Sequence, residues 1–188
     1  MILNSPGHKI FANVKPKIYQ LLISLIKEAI LATDVADHMD IRKDFSNLVR
    51  SKNVDWNEES NKILLRKNLM TACDLASAAK PWKTHKSVVN QVIKEFFAQG
   101  VRERTELNIE PTEIMDERRS DQLPRLQMGW IDAVCFPLYQ NLALLCDSFN
   151  GHLDRLKENR LNWSLLNEKI KLSQIKEPNK SHYLNGRL

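Results

Sequence analysis

An all-α fold is predicted, on three observations. Apolar residues recur at three- and four-residue spacing along most of the chain. No Asn-Gly or Asp-Gly turn joins two alternating apolar runs, and the one Asn-Gly, Asn185-Gly186, lies in a polar tail. With 5 glycines and 7 prolines in 188 residues, turn chemistry is too sparse for a many-stranded fold and excludes collagen-like and linker-like chains. This length suggests about one domain, with enough chain to bury a useful core.

The elements follow in order. Pro16 suits the first turn of a helix. Ile18, Leu22, Leu25, Ala29 and Ala32 then form a stripe, and Val35, Met39, Phe45, Leu48 and Val49 form a second. They predict two consecutive helices, or one long bent one, over 16–51. Asp55 with Glu58 three residues on resembles a capping box. A helix is expected from near 56, through Ile63, Leu64, Leu69 and Met70, to Ala79, with Pro81 ending it. Thr84 can cap the next helix, whose apolar side carries Val88, Val92, Ile93, Phe96 and Phe97. The polar stretch from Leu107 to Leu123 reads as a loop around a short turn at 113–116. Pro124 opens a helix with Leu126, Trp130, Ile131, Val134 and Leu138, and Pro137 inside that pattern should kink it. Gly151 separates the last helix, which carries Leu153, Leu156, Leu161, Trp163, Leu165 and Leu166. From Lys171 the chain turns polar and lysine-rich, so 171–188 is expected to be a disordered tail beyond a folded region at 1–170.

Bulk chemistry narrows the function. The net charge is +5, from 28 Lys and Arg against 23 Asp and Glu, but the signs alternate, as in Arg42-Lys43-Asp44. Mixed signs read as solvated helix faces, and no basic run is interleaved with aromatics as in a single-strand binder, so no nucleic-acid partner is expected. Cys73, Cys135 and Cys146 are an odd number at wide spacing in apolar stretches. They read as buried thiols in a reducing compartment, without a disulfide framework or a Cys-His ligand set. The start, Met1-Ile2-Leu3-Asn4-Ser5-Pro6-Gly7, lacks the basic and apolar regions of a signal peptide. Leu21 to Ile26 is far too short for a membrane span. A cytoplasmic location is expected.

Two places could carry chemistry. Asp74 falls among small and apolar residues, Met70-Thr71-Ala72-Cys73-Asp74-Leu75. Such a carboxylate either reaches solvent or a lysine, or serves a hard divalent metal. Gln127 and Trp130 stand three apart and so share a helix face. They are either a surface amide beside a core indole, or a pair that holds a flat heterocycle: the amide reads its edge and the indole covers its face. Of the five histidines, His8, His38, His85, His152 and His182, none forms a metal or triad motif, and His85 is the best placed.

Several ordered stretches carry a resemblance. Ile30-Leu31-Ala32-Thr33-Asp34, Met70-Thr71-Ala72-Cys73-Asp74-Leu75 with Lys80-Pro81-Trp82, Glu95-Phe96-Phe97-Ala98-Gln99-Gly100, and Leu107-Asn108-Ile109-Glu110-Pro111-Thr112 resemble the animal-class (class I) cyclic-nucleotide phosphodiesterases. Gly7-His8-Lys9-Ile10-Phe11-Ala12-Asn13 and Leu123-Pro124-Arg125-Leu126-Gln127 look most like the dual-specificity type 11 and cyclic-GMP-specific type 5 enzymes. The resemblance implies the C-terminal portion of a multi-helix, HD-type catalytic domain that hydrolyses cyclic GMP, cyclic AMP or both with two divalent metals, zinc and magnesium. It implies that Asp74 is a metal ligand, that Gln127 bonds the purine and that Trp130 clamps it. Leu75, Val92, Phe96, Ile114, Leu123 and Leu126 correspond to pocket walls.

In that family the proton-donor histidine and three further metal ligands lie upstream of the position matching Met1, and the Asp that follows Gln-Gly is Val101 here. The chain is therefore expected to be the C-terminal half of such a domain, with no catalytic residue of its own and no turnover alone. Its helices near 56–79 and 84–106 should then show open apolar faces. The alternative is a non-catalytic helical module that forms a homodimer or pairs with full-length subunits.

Overall fold

A computed structural model of the chain describes Gly7, residues 10–51 and residues 53–176. Among these residues there are α-helices, short 3-10 segments and one π-helical turn, and no strand, as the sequence predicts. The chain divides into two compact units, Met1–Asp74 and Leu75–Leu188.

The first unit holds three helices: α1 (Pro16–Leu31), α2 (Val35–Arg50) and α3 (Glu59–Asp74). The 16–51 stretch is two helices because Thr33 and Asp34 break it. Asp34 is the N-cap of α2, its carboxylate accepting from the Ala36 amide at 2.9 Å. Phe45 and Ala32 fill the core with the aliphatic parts of Thr71 and Ala72. Two polar ties join α3 to α1. The Thr71 hydroxyl donates to the Ala32 carbonyl at 2.8 Å, and Arg66 grips Glu28 with two hydrogen bonds of 3.0 and 3.3 Å. Asp55 does not cap α3. It accepts from the Asn57 amide in a turn before the helix, which starts at Glu59. Buried His38 has no hydrogen-bond partner on either ring nitrogen, and burial pushes its pKa down.

In this unit open apolar surface is concentrated on α1, where Ile18, Leu21, Ile30 and Leu31 are 50–66% exposed. On the two helices expected to carry it, Met70 and Val92 reach only 36% and 39%.

The second unit is built around α4 (Trp82–Glu106), α5 (Leu123–Trp130), α6 (Phe136–Ala143) and α7 (Asn150–Lys176). Helix α3 stops short of the expected Ala79, and residues 76–79 form a 3-10 turn instead. Asn159 of α7 accounts for that turn: its fully buried amide donates to the carbonyls of Ala78 and Lys80, both at 2.8 Å. Replacing Asn159 by alanine orphans both carbonyls. An unfolding titration in urea should show about 2–4 kcal/mol lost, and a loss under 1 kcal/mol would mean that the turn holds itself.

Helix α4 begins two residues before Thr84, which makes no capping bond. Pro81, with φ −51° and ψ 145°, is the cap, and its carbonyl accepts from the amides of Thr84 and His85. The 107–122 connection contains the expected turn, at Glu113–Met115, and a second 3-10 segment at Glu117–Gln122. Asp116 pins it. Its carboxylate accepts from Arg118 at 2.9 Å and from Arg104 at 3.1 Å, which holds it well below the usual carboxylate range. At Pro137, where a kink is expected, the predicted helix changes register without leaving helical geometry. A π turn over Ile131–Cys135 absorbs the misfit, and α6 follows it with Pro137 in its first turn.

Ile131, Val134, Cys135, Leu138 and Leu142 pack with Leu156 and Trp163 of α7 as the core of this unit. Gly151 lies inside the first turn of α7 rather than before it, and α7 runs through Lys176, past the expected limit at 170. The rest of the expected tail, 177–188, lies outside the described residues, as do His8 and His182.

The thiols correct another expectation. Cys135 is buried, and burial pushes its pKa up to about 12, but Cys73 and Cys146 are exposed. Each stands near a helix end, where an apolar neighbourhood in sequence does not become an interior. No described helix is long and apolar enough to cross a membrane.

Candidate functional site

Helix α5 presents Leu123, Leu126, Gln127 and Trp130 at positions i, i+3, i+4 and i+7, which is one helix face. Pro124, buried in its first turn, fixes where the helix starts. Gln127 is 6% exposed, and its side chain makes no hydrogen bond among the described residues, yet neither amide atom is among the fully buried, unpartnered ones. An amide without a protein partner can offer its donor and its acceptor to a ligand. Trp130, one turn on, is half-buried, so part of its ring stays open. An unpaired donor-acceptor group beside a partly open indole is what a flat heterocycle needs.

The other wall candidates of this unit sit on neighbouring elements. Val92 and Phe96 are one turn apart on α4, Val92 exposed and Phe96 half-buried. Half-buried Ile114 lies in the 113–115 turn. That turn packs directly on α4 at Gly100, where a Cβ would stand 2.1 Å from the Met115 carbonyl oxygen. Leu75, also half-buried, precedes the 76–79 turn.

Asp74 belongs to the first unit. It is the last residue of α3 and is exposed, so no burial cost applies to it. It makes no hydrogen bond or ion pair among the described residues. The last turn of α3 carries no basic residue, so the carboxylate stands against the negative end of the helix dipole uncompensated. A cation there would relieve both charges. Among the described residues, however, no group of three or more His, Cys, Asp or Glu could hold a metal ion. One exposed carboxylate does not make a metal centre, so the residues present do not fit the pair of ions by themselves.

His85 is a core residue. Its Nε2 accepts from the Trp163 indole at 2.8 Å, and burial lowers its pKa, keeping it neutral. A hollow of about 480 Å3 lies elsewhere on this unit, between the π turn with α6 and the outer side of α7. None of the candidate residues lines it, and its two walls come from segments too far apart in sequence for any local pattern to reveal it.

The family model for 3'5'-cyclic nucleotide phosphodiesterase matches residues 1–156. The chain is 41% identical over 169 residues to the dual 3',5'-cyclic-AMP and -GMP phosphodiesterase 11A of Takifugu rubripes, covering 90% of this chain and 19% of that protein. It is also 41% identical, over 175 residues, to the cGMP-specific 3',5'-cyclic phosphodiesterases of Drosophila pseudoobscura pseudoobscura and Drosophila melanogaster. These matches cover 92% of this chain and 16% and 15% of those proteins. The chain thus spans less than a fifth of the length of these relatives. A match over this much of the chain, with the helical order found here, shows that the chain belongs to the 3'5'-cyclic nucleotide phosphodiesterase family.

Proposed function

We propose that this chain supplies the purine-recognising part of a cyclic-nucleotide phosphodiesterase catalytic domain. Gln127 bonds the edge of the guanine or adenine ring and Trp130 covers its face. Leu75, Val92, Phe96, Ile114, Leu123 and Leu126 provide apolar walls. The observation that carries this reading is that Gln127, 6% exposed and without a side-chain hydrogen bond among the described residues, stands one turn before a half-open indole. A rotatable amide offers its donor and acceptor to either purine, in line with relatives named for cyclic GMP alone or for both nucleotides.

Asp74 gives one carboxylate to a divalent cation whose other ligands come from residues that this chain does not hold. This chain's own residues bind and orient the base, and the chain is a soluble, cytoplasmic protein without turnover of its own. A second reading, a helical module that pairs with full-length subunits, is favoured by the exposed apolar face of α1.

Saturation-transfer NMR of cyclic GMP and cyclic AMP with the purified chain tests the proposal. The purine protons should receive magnetisation, and Gln127→Ala should weaken binding about 10- to 100-fold, the equivalent of about 1–3 kcal/mol. Equal transfer from the variant would remove Gln127 from its role. With magnesium and zinc present, turnover at about 1–1000 per second would overturn the claim that the chain is inactive alone.

A further inference from the structure

Helix α7 is apolar on two opposite faces. Leu156 and Trp163 on its inner face are buried in the core of the second unit, beside half-buried Leu153, Leu166 and Ile170. On the outer face Leu161, Leu165, Leu172 and Ile175 are 60%, 48%, 57% and 72% exposed. With Glu168 between them they keep the alternating four- and three-residue spacing of a heptad seam over about four turns. Scattered exposed leucines need no explanation, but a row in register along one helix face is a packing surface. The 480 Å3 hollow opens beside the start of this row. Leu161 belongs to both, and Phe136 and Pro137 form the far wall. Lys157, Ser164 and Gln140 edge the opening, so a helix lying on the row could set one bulky side chain into it.

Charge selects the occupant. The charged residues flanking the row at heptad e and g positions are Lys169 and Lys171, both basic; Arg155 and Lys157 continue these flanks in the heptad before Leu161, where Asp154 and Glu158 hold the seam positions. Arg155 and Lys157 are partly answered within α7 by Glu158 at 2.6 Å and Asp154 at 3.0 Å. Lys169 and Lys171 make no ion pair among the described residues. A second copy of this chain would set basic flank against basic flank in either orientation. An anionic bilayer would meet Glu168 in the middle of the apolar row, and a seam one residue wide is narrow for an interfacial helix. From these features we infer that the outer face of α7 docks an amphipathic helix of a partner protein. That helix carries leucine-type residues along its seam, Asp or Glu on its flanks, and a basic or amide side chain opposite Glu168 that fixes the register. This interface is independent of the purine reading.

The test uses the full chain and a fluorescent synthetic peptide of about four heptads. The peptide has leucine at the seam, glutamate on the flanks and one lysine opposite Glu168. Anisotropy should show saturable binding that weakens with salt. Leu165→Ser with Leu172→Ser should weaken it at least about tenfold without changing the circular-dichroism melt, because both side chains are exposed. A peptide with lysine flanks should bind at least about tenfold more weakly. No binding, or equal binding of the two peptides, would overturn the inference. So would sedimentation showing a self-association that the double substitution abolishes, or phosphatidylserine vesicles capturing the chain through the same two leucines.

Discussion

Trp163→Ala should be among the most destabilising single substitutions in the second unit, at about 3–5 kcal/mol in a urea titration. The indole is 2% exposed and meets the rings of Trp82 and His85 edge-on, at centroid distances of 4.9 and 5.7 Å. Its removal leaves a cavity among rigid aromatic rings, which cannot collapse as aliphatic chains can. It also strips Nε2 of His85, 98% buried, of its donor. Trp163→Phe separates the two contributions. It keeps most of the ring volume and loses the N–H, so its cost should fall near the 1–3 kcal/mol of an orphaned buried acceptor. If both variants unfold within 1 kcal/mol of the parent chain, the Trp82–His85–Trp163 cluster is not what ties α7 to α4.

That cluster marks where the sequence stops being informative. Trp163 is legible as core from its stripe on α7, and His85 stands out after Lys80-Pro81-Trp82, but their pairing across 78 residues leaves no local trace. The helices themselves follow from apolar spacing and from Pro16, Pro81 and Pro124, since those signals act within one or two turns, whereas the Asp34 cap that parts α1 from α2 is seen only in the structure. The errors lie where a distant group decides the local structure. Residues 76–79 have helical composition, yet Asn159 holds the Ala78 and Lys80 carbonyls, and the segment is a 3-10 turn. Thr84 offers a cap that Pro81 makes unnecessary, because proline already holds φ near the helical value.

The candidate site divides in the same way. The shared face of Gln127 and Trp130 follows from helix spacing alone, whereas the burial of Gln127 is a tertiary fact. Asp74 looks like a mid-helix acid by its neighbours in sequence, but it is the final residue of α3 and open to water. The outer row of α7 is visible as heptad spacing once the inner face is known. Read along the sequence, the two rows merge into one continuous apolar pattern that assigns neither face.

The second large effect should come from the smallest side-chain change. Gly100→Ala adds one methyl group at the contact between α4 and the 113–115 turn. The new Cβ would fall 2.1 Å from the Met115 carbonyl oxygen, 2.9 Å from its carbonyl carbon and 3.2 Å from Pro111 Cβ. The obstacle is backbone, so no rotamer change relieves it. The turn must lift off α4, and it is held down through Asp116 by Arg104 of that helix. Overpacking of this kind costs about 1–3 kcal/mol and at times more, against less than about 1 kcal/mol that alanine gains over glycine in helix propensity. Gly129→Ala is the matched control. It too replaces a helical glycine, but no atom lies within 4 Å of its new Cβ, so it should stabilise by about 0.5–1 kcal/mol. Thermal melts of the two variants should therefore move in opposite directions. Because half-buried Ile114 rides on the displaced turn, Gly100→Ala should also weaken purine binding while Gly129→Ala leaves it in place. A Gly100→Ala chain that melts at or above the parent would show that the turn rests on α4 loosely, and that Ile114 is not held as a wall.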